Sequence, residues 1–235
     1  MKKMLFVLVT VLAPSSSFAL IGFGIQAGSD LSKLGPYSFS EGSGLTEVTI
    51  NTYEMESNPG NIGAYAFVDL FGFALEAEGE IGGGQYEFDF TNPILPVMEE
   101  RISFGWIRTS YSFTLKKNIM DLSIPFLAKA AINAGGGFGS HAATKRANVD
   151  MVKSLLGDDL ANVDFDQEGG ETLLVDFLED TDNWETASGL HLQGGLRFKV
   201  LMLDTHLNAR YNLAKDIYTG KSGWLQLMFK LGFAI

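Results

Sequence analysis

The sequence contains no cysteine, few charged residues and, beyond residue 20, no long apolar run. The absence of cysteine excludes the small exported proteins that disulfides hold together. The absence of an apolar run near the roughly 20 residues that a membrane helix requires excludes helical spans. Charged residues make up 19% of the chain, below the level typical of soluble domains, which indicates that water is not the only solvent around this protein.

Basic residues are the scarcer charged class. Lys and Arg together number 17 against 28 Asp and Glu, so the formal net charge is -11. Nucleic-acid binding depends on clustered basic side chains that replace the counterions of phosphates. The charge balance therefore excludes nucleic acid as a partner.

The N-terminus has the pattern of an export signal. Lys2 and Lys3 precede an apolar run from Met4 to Ala13, and small residues follow up to Ala19. This pattern predicts a signal peptide over residues 1–19, and the apolar run is too short for a transmembrane helix. Residues 20–235 show no linker or repeat, so we expect a single domain there.

Alternation of apolar and polar residues predicts eight β-strands. The predicted strands cover residues 21–27, 61–70, 72–81, 101–115, 121–134, 189–200, 203–213 and 222–235. In the fourth strand the apolar positions change parity, which we interpret as a β-bulge near Trp106 that keeps Arg108 off the apolar face.

The predicted connections alternate between short and long. The short ones lie around residues 70–72, 116–120 and 200–202, whereas residues 28–60, 82–100 and 136–187 form long ones. This order predicts an all-β, up-and-down antiparallel transmembrane β-barrel with both termini at the short-turn end. Ten strands are the alternative if residues 45–55 pair with another loop segment.

Strand length favours lipid over a protein core as the cover of the apolar face. Several predicted strands have about 10 to 14 residues, whereas strands of soluble proteins most often have about 5 or 6. Aromatic residues near the strand ends, such as Phe113 and Trp224, fit the girdles of membrane barrels. A soluble periplasmic β-sandwich is the alternative.

Charged residues of both signs alternate with the apolar positions and are predicted to face the barrel interior. An unpaired buried charge is unfavourable in free energy, so these residues of opposite sign predict an ion-paired interior rather than a wide pore. The predicted network comprises Glu76, Glu78, Glu80, Arg108, Lys129, Arg197, Lys199, Arg210 and Lys230.

The end of the chain resembles the last strand of small outer-membrane β-barrels of Gram-negative-type bacteria. The alternating residues are Leu227, Phe229, Leu231, Phe233 and Ile235. The resemblance implies location in the bacterial outer membrane, contact with its lipid, and recognition of this strand by the barrel-assembly machinery. Those proteins end on an aromatic residue, whereas this chain ends on Ile235. We expect a monomer.

The long predicted loop, at about residues 136–187, is acidic and holds the candidate chemistry. Asp164, Asp166 and Glu168 have the spacing that starts a calcium loop, but Val175 stands where a bidentate Glu is needed. The adjacent pair Ser140 and His141 is the weak signal for a lipid-modifying enzyme. We predict no catalytic residue and no cofactor.

The function that the sequence favours is a structural or surface-interaction role through acidic extracellular loops, with an extracellular ligand that the residues do not identify. A narrow ion channel, a lipid-modifying outer-membrane enzyme and the soluble β-sandwich remain as alternatives.

Overall fold

A computed structural model describes residues 21–70, 72–93, 101–124, 127–151 and 180–235. The predicted signal peptide lies outside these residues. The ten strands are β1 (Ile21–Asp30), β2 (Tyr37–Glu41), β3 (Val48–Thr52), β4 (Gly60–Leu70), β5 (Phe73–Thr91), β6 (Ile102–Ile124), β7 (Ala128–Thr144), β8 (Trp184–Val200), β9 (Leu203–Leu213) and β10 (Trp224–Ala234). No helix within the described residues is long and apolar enough to cross a membrane.

Eight of these strands form a closed antiparallel ring. Its order is β5-β4-β1-β10-β9-β8-β7-β6, and pairing of β5 with β6 closes it. Residues paired in turn from Ile25 of β1 across β10, β9 and β8 reach Ala130 of β7. Residues paired from Ile25 in the other direction, across β4, β5 and β6, reach a different residue of β7, Ser140. This stagger along β7 tilts the strands, as closure of a barrel requires. The predicted eight-stranded barrel is confirmed.

Strands β2 and β3 form a hairpin outside the ring. β3 pairs with β2 on one side and with the end of β5 on the other, where Thr49 lies opposite Thr91. At the long-loop end, where β4 begins, the hairpin takes the place of β4 beside β5 and extends the barrel wall. Residues 45–55 therefore do enter the sheet through β3, but the ring keeps eight strands, so the ten-stranded barrel is wrong.

Several strands are longer than predicted. β6 continues through residues 116–120, which were predicted as a turn, and residues 121–124 belong to β6 rather than to the next strand. The error arose at Lys116, whose side chain points inward and pairs with Glu76 at 2.6 Å instead of marking a turn. Residues 136–144 lie in β7 and residues 184–187 in β8, so the long loop is shorter than predicted at both ends.

The two faces of β5 exchange character at the three glycines from Gly82 to Gly84. Before the glycines, the buried side chains are acidic and the exposed ones apolar, as at Glu80 and Ile81. After them the buried side chains are aromatic and the exposed ones polar. The buried set is Tyr86, Phe88 and Phe90, and the outward set is Gln85, Glu87, Asp89 and Thr91.

β6 shows the same exchange, and it accounts for the parity change in the sequence. Phe104, Trp106 and Arg108 all point inward and are buried. Pairing with β5 is unbroken across this region, so the predicted bulge near Trp106 is wrong. The register irregularity of β6 lies instead between Asn118 and Met120, on its β7 side. The direction in which successive side chains point stays regular along the strand. The apolar residues change from the outer to the inner face because the environments of the two faces change.

From this exchange we infer the level at which the outer surface passes from lipid to water. On the short-turn side of this level the ring carries a belt of exposed large apolar side chains, which a soluble protein would bury. The belt includes Phe23, Ile25, Ile62, Leu75, Ile81, Tyr111, Phe113, Leu115, Leu192, Leu207, Phe229 and Phe233. We call the level at Gly82 to Gly84 the membrane boundary.

On the long-loop side of the boundary the barrel interior holds an apolar core. Its buried residues come from the β2–β3 hairpin region, the ends of β5, β6 and β7, and the β9–β10 connection. Trp224, predicted for an outer girdle, lies inside this core and is 1% exposed, because it packs edge-on against His141 and Tyr218. The part of the barrel beyond the boundary is thus built like a soluble protein.

Candidate functional site: the barrel interior and the projecting wall

At the short-turn end, Arg197 of β8 is the centre of the first interior ion-pair group. Its guanidinium contacts Asp204 of β9 at 2.6 Å and Asp69 of β4 at 3.0 Å. Asp204 also lies 3.4 Å from Nε2 of His206. The Phe67 ring packs beneath the Arg197 guanidinium and occupies the space that Gly22, which lacks a side chain, leaves open. Three strands are linked through this one basic residue.

In the middle of the lumen, Glu76 and Glu78 of β5 share Lys230 of β10. Nζ of Lys230 lies 2.9 Å from Glu76 and also contacts Glu78. Lys116 contacts Glu76 at 2.6 Å, and Arg210 contacts Glu78. All five side chains are buried, so each charge is compensated by neighbours on other strands rather than by water.

Near the membrane boundary, Arg108 of β6 joins two carboxylates from different strands. Its guanidinium donates to Asp30 of β1 at 3.1 and 3.2 Å and to Glu80 of β5 at 2.8 Å. Asp30 also accepts a 2.6 Å hydrogen bond from Tyr218, and Glu80 accepts 2.8 Å hydrogen bonds from Gln226. This group lies directly under the apolar core.

The structure brings most of the predicted interior charges together. Glu76, Glu78, Glu80, Arg108, Lys129, Arg197, Arg210 and Lys230 are buried inside the ring, and Lys199 is half-buried near its short-turn end. Sequence reasoning missed Asp30, Asp69, Lys116 and Asp204. The parity of Lys116 with Arg108 along β6 is the signal that could have placed it inside.

The adjacent pair Ser140 and His141 does not form a site. Neighbouring residues of a strand point to opposite faces, so Ser140 is exposed outside the ring and His141 is buried inside. His141 instead contacts the Ser110 hydroxyl through Nδ1 at 2.8 Å. Ser110 and His141 are 2% and 4% exposed, so this serine–histidine pair is not open to a lipid substrate.

The candidate calcium ligands Asp164, Asp166 and Glu168 lie outside the described residues. Among the residues that are described, no group of three or more His, Asp or Glu side chains could hold a metal ion.

Beyond the membrane boundary, an ordered polar cluster lies on the outer side of β3 and β5 and includes Tyr53, which follows β3, and Arg101, which precedes β6. Asp89 accepts hydrogen bonds from Tyr53 at 2.5 Å and from Asn51 at 2.8 Å. Arg101 lies over the Tyr53 ring at 3.6 Å and pairs with Glu87 at 3.1 Å. The hydrogen bond to Asp89 raises the pKa of the Tyr53 phenol, because deprotonation would bring two negative charges together.

Strand β2 is the outermost strand of this projecting wall, which we define as β2, β3 and the parts of β5 and β6 beyond Gly82 to Gly84. All five residues of β2 are exposed, including Tyr37 and Phe39. Within the described residues β2 pairs only with β3. Arg146 ties the hairpin to the barrel by donating to the Gly35 carbonyl at 2.8 Å and to Thr52 at 3.3 Å.

The last strand exposes the side chains that were predicted as its assembly signal. Leu227, Phe229, Leu231, Phe233 and Ile235 are all exposed outside the ring. Between them, Gln226, Met228 and Lys230 are buried inside, each at 1% exposure or less. The outward row is therefore the face that lipid covers.

Two crystal structures of Ail, the attachment invasion locus protein of Yersinia pestis, match over most of the chain. The structure in complex with the heparin analogue sucrose octasulfate is 9% identical, with a TM-score of 0.41, and covers 92% of this chain and 99% of that one. A second Ail structure is 11% identical, with a TM-score of 0.33, and covers 91% and 98%. No protein-family model and no curated protein matches the sequence. On its own strand pairing and apolar outer belt, this chain is a small β-barrel of the outer-membrane type.

Proposed function

We propose that the barrel anchors this protein in the bacterial outer membrane and that the projecting wall binds a protein partner outside the cell. The observation that carries the proposal is the exchange of faces at Gly82 to Gly84. It separates a lipid-facing barrel from a water-facing wall that has its own apolar core.

Strand β2 supports an interaction through the edge of the wall. An exposed strand with one paired side can add an extended segment of another protein. Tyr37 and Phe39 supply the aromatic side chains that protein interfaces favour. The net charge of -11 favours a neutral or basic partner over a polyanion.

The interior of the barrel supports anchoring rather than conduction. An eight-stranded ring is just wide enough to be filled by side chains. Here the described interior contains three ion-pair groups, below an apolar core that includes Trp106 and Trp224. The exposed apolar belt contradicts the soluble β-sandwich, because a sandwich buries its apolar faces.

Location and orientation can be tested with single cysteines, because the chain has none of its own. We expect Ser38→Cys in the wall to react with a membrane-impermeant maleimide on intact cells. Leu201→Cys, in the short turn between β8 and β9, should react only after the outer membrane is permeabilised. Both variants should fractionate with outer membranes. Labelling of both positions, or of neither, on intact cells would contradict the proposal.

The interaction can be tested with an array of extended twelve-residue peptides and the purified folded barrel. We expect the wild type to retain a subset of peptides, and Tyr37→Asp with Phe39→Asp to lose them. Leu45→Asp is the matched control, since Leu45 is 68% exposed in the same hairpin but lies outside β2. A wild type that retains no peptide, or an equal loss in the control, overturns the proposed role of β2.

A further inference from the structure

The hairpin formed by β6 and β7 extends beyond the neighbouring strand β5 at the short-turn end. From the membrane boundary, residues 108–117 of β6 pair one for one with residues 82–73 of β5. That length matches the roughly 9–11 residues with which a tilted strand crosses a bilayer. β5 begins at Phe73, but β6 continues to Ile124. Residues 118–124 of β6, which we call the β6 extension, therefore lie beyond the membrane-spanning part of the strand.

The β6 extension has a strand partner on one side only. It pairs with residues 128–133 of β7, which in turn pair with residues 195–200 of β8. Within the described residues, β6 has no partner on its β5 side beyond Lys117. A backbone hydrogen bond of 2.9 Å from Leu201 N to Leu127 O ties the end of the hairpin to the neighbouring turn. The extension is thus an open strand edge on an ordered sheet.

The side chains of the β6 extension are mostly apolar and exposed. Met120, Leu122 and Ile124 lie on the outer face, and each is more than half exposed. Asp121 lies on the inner face, opposite a buried residue of β7. It is the one charged residue of the extension, which contains no proline. Because charges and proline are what commonly protect an edge strand, this edge is weakly protected against pairing with another strand.

The backbone of the β6 extension selects a polypeptide rather than a lipid as its partner. An open strand edge presents backbone N–H and C=O groups, and hydrocarbon chains cannot form hydrogen bonds with them. An extended polypeptide forms these hydrogen bonds along the whole edge when it joins the sheet as an additional strand. Alternate residues of that strand then pack beside Met120 and Leu122 on the outer face.

A second copy of the barrel cannot supply this strand within the same membrane. Copies in one membrane are related by an axis along the membrane normal, and barrel strands are tilted from that direction by roughly 35–45°. Two copies of the β6 extension would therefore cross at roughly 70–90°, whereas neighbouring strands of a sheet differ by only about 20–25°. The partner is consequently a different protein.

We propose that the β6 extension binds an extended segment of a periplasmic protein, which joins the sheet beside β6 as a further strand. The compartment follows from the proposed outer-membrane location, in which the short-turn end faces the periplasm. Because Asp121 is exposed and carries the one charge of the edge, the segment alternates apolar residues with polar ones that include Lys or Arg. The barrel then has a protein-binding strand edge on each side of the membrane.

The proposal can be tested with purified protein, since only the compartment of the partner rests on the proposed function. The folded full-length barrel, in nanodiscs of a zwitterionic lipid that leave both ends open to solution, selects binders from a combinatorial library of twelve-residue peptides. Every protein in the test carries Tyr37→Asp with Phe39→Asp, so that the edge of β2 does not contribute. We expect enrichment of peptides that alternate apolar and polar residues and contain Lys or Arg.

Two changes in the β6 extension test the position of the site. Leu122→Asp with Ile124→Asp should reduce retention of the selected peptides by about tenfold. Asp121→Lys should instead change the selected peptides from basic to acidic ones, which a loss of folding would not do. Leu201→Asp, at an exposed position in the neighbouring turn, is the matched control and should retain the peptides like the starting protein.

Several outcomes overturn the proposal. They are a selection without enriched peptides, enriched peptides that lack the alternation, an equal loss in the Leu201→Asp control, and an unchanged charge preference in Asp121→Lys. A failed selection together with the expected cysteine labelling in cells would overturn this proposal and leave the anchoring role intact.

A second barrel copy as the partner has its own test. Leu122→Cys in lipid vesicles should form no disulfide-linked dimer beyond that of Leu201→Cys, and a dimer specific to Leu122→Cys would overturn the proposal. A heat-modifiable gel shift establishes which variants are folded. If the double aspartate variant fails to fold, Asp121→Lys still decides the result.

Discussion

Glu80 and Phe88 are buried on the same face of the same strand, yet one is a carboxylate paired with Arg108 and the other packs edge-on against Phe104. Between them lie the three glycines at the membrane boundary. The same side of β5 therefore faces a polar lumen below the boundary and an apolar core above it. This relationship shows that the barrel interior changes from polar to apolar along one continuous strand.

The apolar core beyond the boundary should contribute to stability as a soluble core does. Phe88→Ala should lower the free energy of unfolding by about 3–5 kcal/mol, because Phe88 is 0% exposed. Glu87→Ala, its outward neighbour, should change it by about 0.5 kcal/mol or less. Urea unfolding of the barrel in lipid vesicles, followed by tryptophan fluorescence, measures both. Equal effects would contradict the assignment of faces.

Lys230 should be among the most sensitive interior positions. Lys230→Met leaves Glu76 and Glu78 with one basic partner fewer in a buried site, which should cost about 3–5 kcal/mol. Adding Glu78→Gln should not restore this loss, since it also removes the carboxylate that the buried Arg210 contacts. The same unfolding measurement gives the difference between single and double variants. A double variant as stable as the wild type would contradict the pairing.

The filled interior should not conduct ions at a steady level. In planar bilayers we expect a silent wild type, because side chains fill an eight-stranded ring. Arg108→Ala with Arg210→Ala removes two fully buried guanidinium groups from the lumen and should produce measurable current. Steady conductance of the wild type would contradict a filled interior and would support the ion-channel alternative.

The outward row of the last strand should govern membrane insertion. Phe233→Asn should impair insertion more than Met228→Asn, since Phe233 is 55% exposed to lipid and Met228 is 1% exposed inside the ring. Folding into vesicles, followed by the gel shift of the folded form, compares the two. Equal impairment would mean that the faces of β10 are assigned wrongly.

The barrel was predictable because period-2 alternation is local and repeated. β9, for example, has the predicted bounds of residues 203–213, and β10 differs from its prediction by only a few residues. The predicted lumen residues also followed from alternation alone, since a residue beside an outward leucine must point inward.

The errors arose where the environment of a strand changes along its length. Residues 82–91 fall in the predicted connection of residues 82–100, since their glycine and acidic residues break the apolar face, but they continue β5. Trp224 is predicted for an outer aromatic girdle, and Trp106 is predicted to lie at a β-bulge. Both lie inside the barrel, beyond the membrane boundary. No local sequence pattern indicates the residue at which water replaces lipid on the outer surface.

The partners of the interior ion pairs could not be predicted from the sequence either. Asp30 meets Arg108 only because ring closure brings β1 and β6 to opposite sides of the same lumen level. Such contacts depend on the register of every intervening strand.

Accessibility of spin labels along the outer face of β5 tests the exchange of faces most directly. Single cysteines at Ala77, Ile81, Gln85 and Glu87 carry a nitroxide, and collisions with apolar oxygen and with a water-soluble nickel chelate are compared in lipid vesicles. The structure predicts oxygen-dominated collisions at Ala77 and Ile81 and chelate-dominated collisions at Gln85 and Glu87. Lipid-like accessibility at Gln85 and Glu87, or water-like accessibility at Ile81, would contradict the placement of the membrane boundary at Gly82 to Gly84.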